Sequence, residues 1–207
     1  MLPFLNMNIY KINPHLFQYI EKMKNNILTI EDILEEDDII KDLKDDINSQ
    51  FLCMLSNEAI RKLMDYATKV PQNDSQKLGH KYPFNATEIL IANNPEIQSR
   101  IMHEIKFKKS EFYGEEEEEG GEDDEDSETV SIFDNIEHLF QFLKGPKDKV
   151  SNYVLVGYFS KILNHLINFD SSSYKIVQYI FNYQYKNKFD LLDAFIQNLN
   201  KKVLVQL

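Results

Sequence analysis

The chain has 207 residues, of which 43% are hydrophobic and 12% aromatic, and a net charge of −11. At that length roughly 70% of the unfolded chain's surface can be buried, so one sizeable domain needs no staples, and the apolar content excludes global disorder. The single cysteine, Cys53, excludes an internal disulfide and fits a reducing compartment; within its apolar run it reads as a small core residue, not a nucleophile.

No apolar run reaches the ~18 residues a spanning helix needs. The first ten residues carry neither a basic n-region nor a small-residue cleavage site. The default is therefore a soluble cytoplasmic or nuclear protein. Glycine and proline are scarce at six each, and Leu, Ile, Lys, Glu and Asn are common, which leans helical.

In chain order, Pro14 suits the first turn of a helix carrying Leu16, Phe17, Ile20 and Met23 on one side. Thr29, with Asp32 three positions on, is a near capping box for a short helix with Ile30, Ile33 and Leu34. The acidic run Glu35, Glu36, Asp37 and Asp38 follows, where Asp37 or Asp38 can cap a second helix with Ile40, Leu43 and Ile47 on one face. This junction lacks the alternating oxygen ligands and the glycine of an EF-hand, and it does not set two acids across a cleft. Residues 49–55 form a compact apolar turn. Ser56 or Asn57 caps a helix with Ile60, Leu63, Met64 and Ala67. Residues 70–80 read as a loop closed by Lys81, Tyr82 and Pro83, with Pro83 starting a helix through Ile91. Asn94 and Pro95 cap and start another, with Ile97, Ile101, Met102 and Ile105.

Residues 115–128 hold eleven acids and no base, which accounts for the whole net charge. A self-repelling block with nothing to bury is expected to be a disordered loop. Beyond it, Ser131 is expected to cap a helix with Ile132, Phe133, Ile136, Leu139, Phe140 and Leu143. A tight connection at 145–148 leads to a helix over about 151–169, apolar over half its circumference and so suited to packing on several neighbours. Two more helices are predicted, at about 173–182 and 187–200. No stretch has a convincing strand pattern.

Successive helices without strands predict an all-α fold of stacked antiparallel pairs, a HEAT/armadillo-like α-solenoid with a disordered acidic loop. The competing architecture is a compact bundle. The chain carries no phosphate-cradling glycine loop and no H-E-x-x-H, and His15, His80, His103, His138 and His165 lack metal-ligand spacing. No catalytic residue, cofactor or metal is predicted. The acidity and the lack of a basic stripe argue against nucleic acid.

Three segments together resemble a known family. TIEDILEEDDIIKDLK at 29–44, followed by Phe51-Leu52 and IRKLMDY at 60–66, resembles the opening of the SAPS domain. PQNDSQKLGHKYP at 71–83, followed by Glu88-Ile89-Leu90, is similar to its proline-containing loop, K-Y-P box and next helix. LVGYFSKIL at 155–163 is similar to a later helix of that domain, and the order holds over about 27–200. SAPS proteins are regulatory subunits of Sit-four and protein-phosphatase-six type serine/threonine phosphatases. The resemblance implies a helical scaffold, a single domain over 1–207 that is an incomplete SAPS domain, and no catalysis by this chain. It implies a phosphatase catalytic subunit as partner, with further scaffold or substrate proteins alongside. The partner-binding candidates are Glu35, Glu36, Asp37, Asp38, Lys81, Tyr82 and Pro83, because binding residues gather where helices are joined. Tyr82 and Pro83 serve equally as the start of a helix that locks the corner. The alternative function is a helical adaptor for another protein, reached through the acidic loop.

Overall fold

A computed structural model describes residues 28–36, 55–70, 77–108, 129–144, 152–169 and 173–182, with isolated positions at Gln18, Glu21, Lys22, Asn25, Lys41 and Leu52. Among the described residues the fold is all-α with one two-stranded hairpin. Apart from those isolated positions, the predicted helices around Pro14 and Ile40, together with that at 187–200, the acidic run 115–128, Cys53 and the 145–148 connection, lie outside the described residues.

Local chemistry sets most of the helix boundaries. Helix α1 (Ile30–Glu35) opens on a complete capping box. The Asp32 N–H donates to Thr29 Oγ1 at 3.2 Å, and the Thr29 N–H donates to Asp32 Oδ2 at 2.9 Å. Helix α2 (Asn57–Thr68) is capped by Ser56, whose hydroxyl accepts from the Ala59 N–H at 3.1 Å. Helix α3 (Tyr82–Leu90) has its proline in the first turn, where the missing N–H removes no helical bond. Helix α4 (Pro95–Ile101) is capped by Asn94, which accepts from Glu96 and Ile97. Helix α5 (Asp134–Lys144) follows the hairpin; α6 (Tyr153–Asn168) is capped by Asn152, and α7 (Ser173–Asn182) is the last described helix.

Three expectations are corrected. The segment expected to carry helix α4 on to Ile105 turns at Met102 and becomes strand β1 (Glu104–Lys108). Ser131 caps no helix: it lies with Ile132 and Phe133 in strand β2 (Thr129–Phe133), and helix begins only at Asp134. The two strands pair antiparallel, setting Ile105 opposite Ile132 and Phe107 opposite Val130. Each segment alternates apolar and polar residues, but five residues give too little local signal without the partner strand's hydrogen bonds. The stretch read as a loop up to Lys81 also ends differently. Residues Lys77–Lys81 form a π-helical turn that runs directly into α3.

Helix α2 is the hub. Its buried Ile60, Leu63, Met64 and Ala67 belong to one core, and it packs on α1, α3, α4, α5 and α6. Helix α6 packs on α2, α3 and α7, as its wide apolar face requires. The seam between α5, α6 and α7 is aromatic, with Phe140, Phe142, Phe159 and Tyr179 in ring contact. Polar ties fix the register of α5 on α2. The Arg61 guanidinium bonds Asp134 and Asn135, and His138 meets Asp65 at 2.7 Å.

One position in α6 is under-filled. Gly157 lies inside the helix, and a Cβ added there would meet no heavy atom within 4 Å. Glycine in a helix interior is less favourable than alanine by about 0.5–1 kcal/mol. Gly157→Ala is therefore expected to raise the stability by that amount and the melting temperature by about 2 °C. Thermal denaturation followed by circular dichroism reads the change, and a lower melting temperature would show that the space above Gly157 is occupied.

Candidate partner-binding site

The two segments singled out in the sequence meet in space. Helix α1 lies against α2 and α3 through Ile30, Ile33 and Leu34, all buried. Asn85 of α3, itself buried, donates its Nδ2–H to the Leu34 carbonyl at 3.0 Å and so satisfies the end of α1. This docking turns the acids of α1 along the protein's own surface.

Glu31 and Glu35, one helical turn apart, each hold one tyrosine and one lysine. Glu31 accepts from the Tyr66 hydroxyl and from Lys62 Nζ at 3.0 Å. Glu35 accepts from the Tyr82 hydroxyl and from Lys77 Nζ at 2.9 Å, while Lys81 Nζ donates to the Glu35 backbone carbonyl. The two tyrosine rings meet edge to face at 5.3 Å. Glu35, Lys81 and Tyr82, predicted as partner contacts, therefore bond each other. Tyr82 and Pro83 are buried in the first turn of α3, and Glu36 is half-buried as the C-cap of α1. Asp37 and Asp38 lie outside the described residues.

Electrostatics follow from this arrangement. Burial pushes the Glu31 carboxyl up, but hydrogen bonds from Lys62 and Tyr66 prevail and leave it below its ordinary value of 4.5. Bonds from Tyr82 and then Lys77 hold Glu35 below 4.5, and the Thr29 backbone and hydroxyl do the same for Asp32 below 3.8. Asp65 is raised by burial but held down overall by His138 and Lys69. The tyrosines move the other way. Burial, then the carboxylate each one faces, raises Tyr66 above its ordinary 10 and pushes Tyr82 up to about 12.

His165 sits apart from this corner, half-buried. Its Nε2 lies 2.9 Å from Gln98 Nε2, whose other N–H donates to the Leu90 carbonyl at 3.3 Å. An amide nitrogen facing the ring requires an unprotonated acceptor there, and burial lowers the His165 pKa below 6.5.

A pH profile follows with definite signs. Depressed groups stabilise fully above their unfolded values and lose that contribution as pH falls through their folded values. His165 acts so below 6.5, and the four carboxylates act so below 4.5 or 3.8. The raised tyrosines stabilise below 10 and lose their contribution as pH climbs past it. Urea denaturation is expected to give a plateau between about pH 7 and 10 and a fall on each side. A stability that still climbs above pH 10 would contradict the Tyr–Glu bonds.

The tie itself is testable one residue at a time. Tyr66→Phe removes only the hydroxyl given to Glu31 and is expected to cost about 1–2 kcal/mol. Combined with Glu31→Gln the losses should fall short of additive, since either change breaks the same bond. Strict additivity in urea titrations would separate the two side chains.

Beside the corner a cleft of about 530 Å³ opens, lined by Lys77, His80, Lys81, Phe84 and Tyr158. Lys161 and Glu88 pair near its α6 side, and burial, then Glu88, raises the Tyr158 pKa. The signal for the cleft was the spacing of Lys77, His80, Lys81 and Phe84, neighbours on one helical face, within a stretch read mostly as loop.

The described residues thus form an all-α module whose conspicuous polar corner is built from internal ties and open on one side. Among them no cluster of metal-ligating side chains occurs and no helix is long and apolar enough to cross a membrane. Serine/threonine-protein phosphatase 6 regulatory subunit 3-B of Xenopus laevis is 23% identical to this chain over 200 residues. The similarity takes in 96% of this chain, which spans only 19% of that protein's length. No family model matches the chain, and no solved structure matches it.

Proposed function

We propose that this chain is a non-catalytic regulatory or scaffold subunit that binds a serine/threonine phosphatase catalytic subunit of the phosphatase-six type and directs its substrate choice. The observation that carries this reading is the similarity to a phosphatase 6 regulatory subunit over nearly the whole chain. In this reading residues 1–207 form one helical-repeat domain of HEAT/armadillo-like stacking, of the SAPS kind, working in the cytoplasm or nucleus. Glu35, Tyr82 and Pro83 set the shape of the corner, and the contacts for the catalytic subunit are Glu36 and Lys81 together with Asp37 and Asp38, which follow Glu36 in the sequence. Charged rim groups steer the encounter, and apolar anchors supply the affinity.

Affinity capture from a lysate followed by mass spectrometry tests it. A phosphatase catalytic subunit should be enriched, and enrichment should fall when Glu36, Asp37 and Asp38 are all replaced by lysine. Capture of no phosphatase by folded protein sinks the proposal. The eleven-acid run favours a second reading, an adaptor that recruits a different protein through residues 115–128. Deleting that run separates the two: phosphatase capture persists in the first reading, and all partners are lost in the second.

A further inference from the structure

The cleft beside the corner combines a cationic lip with an apolar floor. The widened turn Lys77–Lys81 carries Lys77, His80 and Lys81 to one side, and among the described residues its lining includes no carboxylate, although Glu35 bonds Lys77 and Glu88 lies near Tyr158. Lys77, 63% exposed, gives one N–H to Glu35 and leaves its others toward solvent; His80 is exposed on the same turn. The floor comes from two different helices, Phe84 of α3 and Tyr158 of α6. Phe84 is 47% exposed on a helix whose Ala86, Ile89 and Leu90 are fully buried. The volume falls within the range of about 300–1,000 Å³ that accommodates a bound group with its surroundings.

Charge and shape together narrow the occupant. A small inorganic anion would satisfy the lip but leave the two rings bare. A purely apolar ligand would cover the rings while stripping water from lysine without compensation, which is unfavourable. An acidic segment bearing one aromatic side chain meets both demands, with carboxylates at the lip and the ring between Phe84 and Tyr158. The protein's negative charge does not oppose this, because the run 115–128 accounts for all of it.

We propose that this cleft is a docking site for a short acidic peptide segment of a partner protein, anchored by an aromatic residue. The inference does not depend on the phosphatase reading. The probe is a fluorescein-labelled peptide with acidic residues on both sides of a single phenylalanine, titrated into the full chain at neutral pH by fluorescence anisotropy. Saturable binding is expected, weakened about tenfold by Phe84→Ala, again by Lys77→Ala with His80→Ala, and by replacing the peptide's phenylalanine with alanine. Binding should also weaken as salt is raised. Phe84 and His80 are exposed, so these variants keep the fold, which circular dichroism checks. No saturable binding, binding unchanged by Phe84→Ala, equal binding of a lysine-for-acid peptide, or preference for a single-stranded oligonucleotide would each overturn the proposal. Phosphatase capture by the Phe84→Ala protein remains a separate measurement, so either reading can fail alone.

Discussion

Phe159→Ala is expected to cost the fold about 3–5 kcal/mol, the range for removing a fully buried phenylalanine. Phe159 is 0% exposed at the inner face of α6. Its ring stacks on Phe142 at 5.0 Å and tilts against Phe140 at 6.3 Å, both on α5. Phe140 in turn stacks with Tyr179 of α7 at 6.4 Å, and Tyr179 meets Phe133 edge to face at 5.1 Å. Emptying the centre of this series leaves rings without partners on one side and a cavity that rigid helices cannot close. Urea denaturation monitored at 222 nm reads the loss. A variant weakened by less than about 1 kcal/mol would mean that α5 and α6 do not meet through these rings.

Asn135→Ala is expected to cost about 2 kcal/mol, because it removes two hydrogen bonds of a buried amide at once. Asn135 is 0% exposed. Its Oδ1 accepts from Arg61 Nε of α2 at 3.0 Å, and its Nδ2–H donates to the Arg100 carbonyl at the end of α4 at 2.8 Å. One amide thus joins three helices, with the Arg61–Asp134 ion pair beside it. Asn135→Asp distinguishes the two halves. It keeps the acceptor for Arg61 but sets a carboxylate oxygen against the Arg100 carbonyl, next to the negative Asp134. The aspartate variant should be no more stable than the alanine variant at pH 7 and should gain on the alanine variant as pH falls toward 4. Full stability of both would remove Asn135 from any structural role.

Much of the helical content was legible because the relevant contacts lie within one turn of the chain. The Thr29–Asp32 box, the Ser56 and Asn94 caps and the proline in the first turn of α3 all act over four residues or fewer. The buried stripe of α2, at Ile60, Leu63, Met64 and Ala67, has the spacing the sequence shows. The hairpin was missed because Ile105 and Ile132 read as helical without the partner strand that pairs their segments. The cleft was missed because the turn at 77–81 looked like loop, and because an aromatic residue reads as core until its neighbours are known.

The acidic stretch at 29–38 marks the division most clearly. Its residues by themselves determined an amphipathic turn with Ile30, Ile33 and Leu34 inward, since that follows from period and capping. That Glu35 would grip Tyr82, 47 positions on, and Arg61 would reach Asn135, 74 positions on, was decided only by the assembled fold. The physical reason is the range of the forces. Backbone propensity and caps act locally and are written in adjacent letters, whereas a carboxylate's partner depends on which helices pack first and bring a donor within about 3 Å.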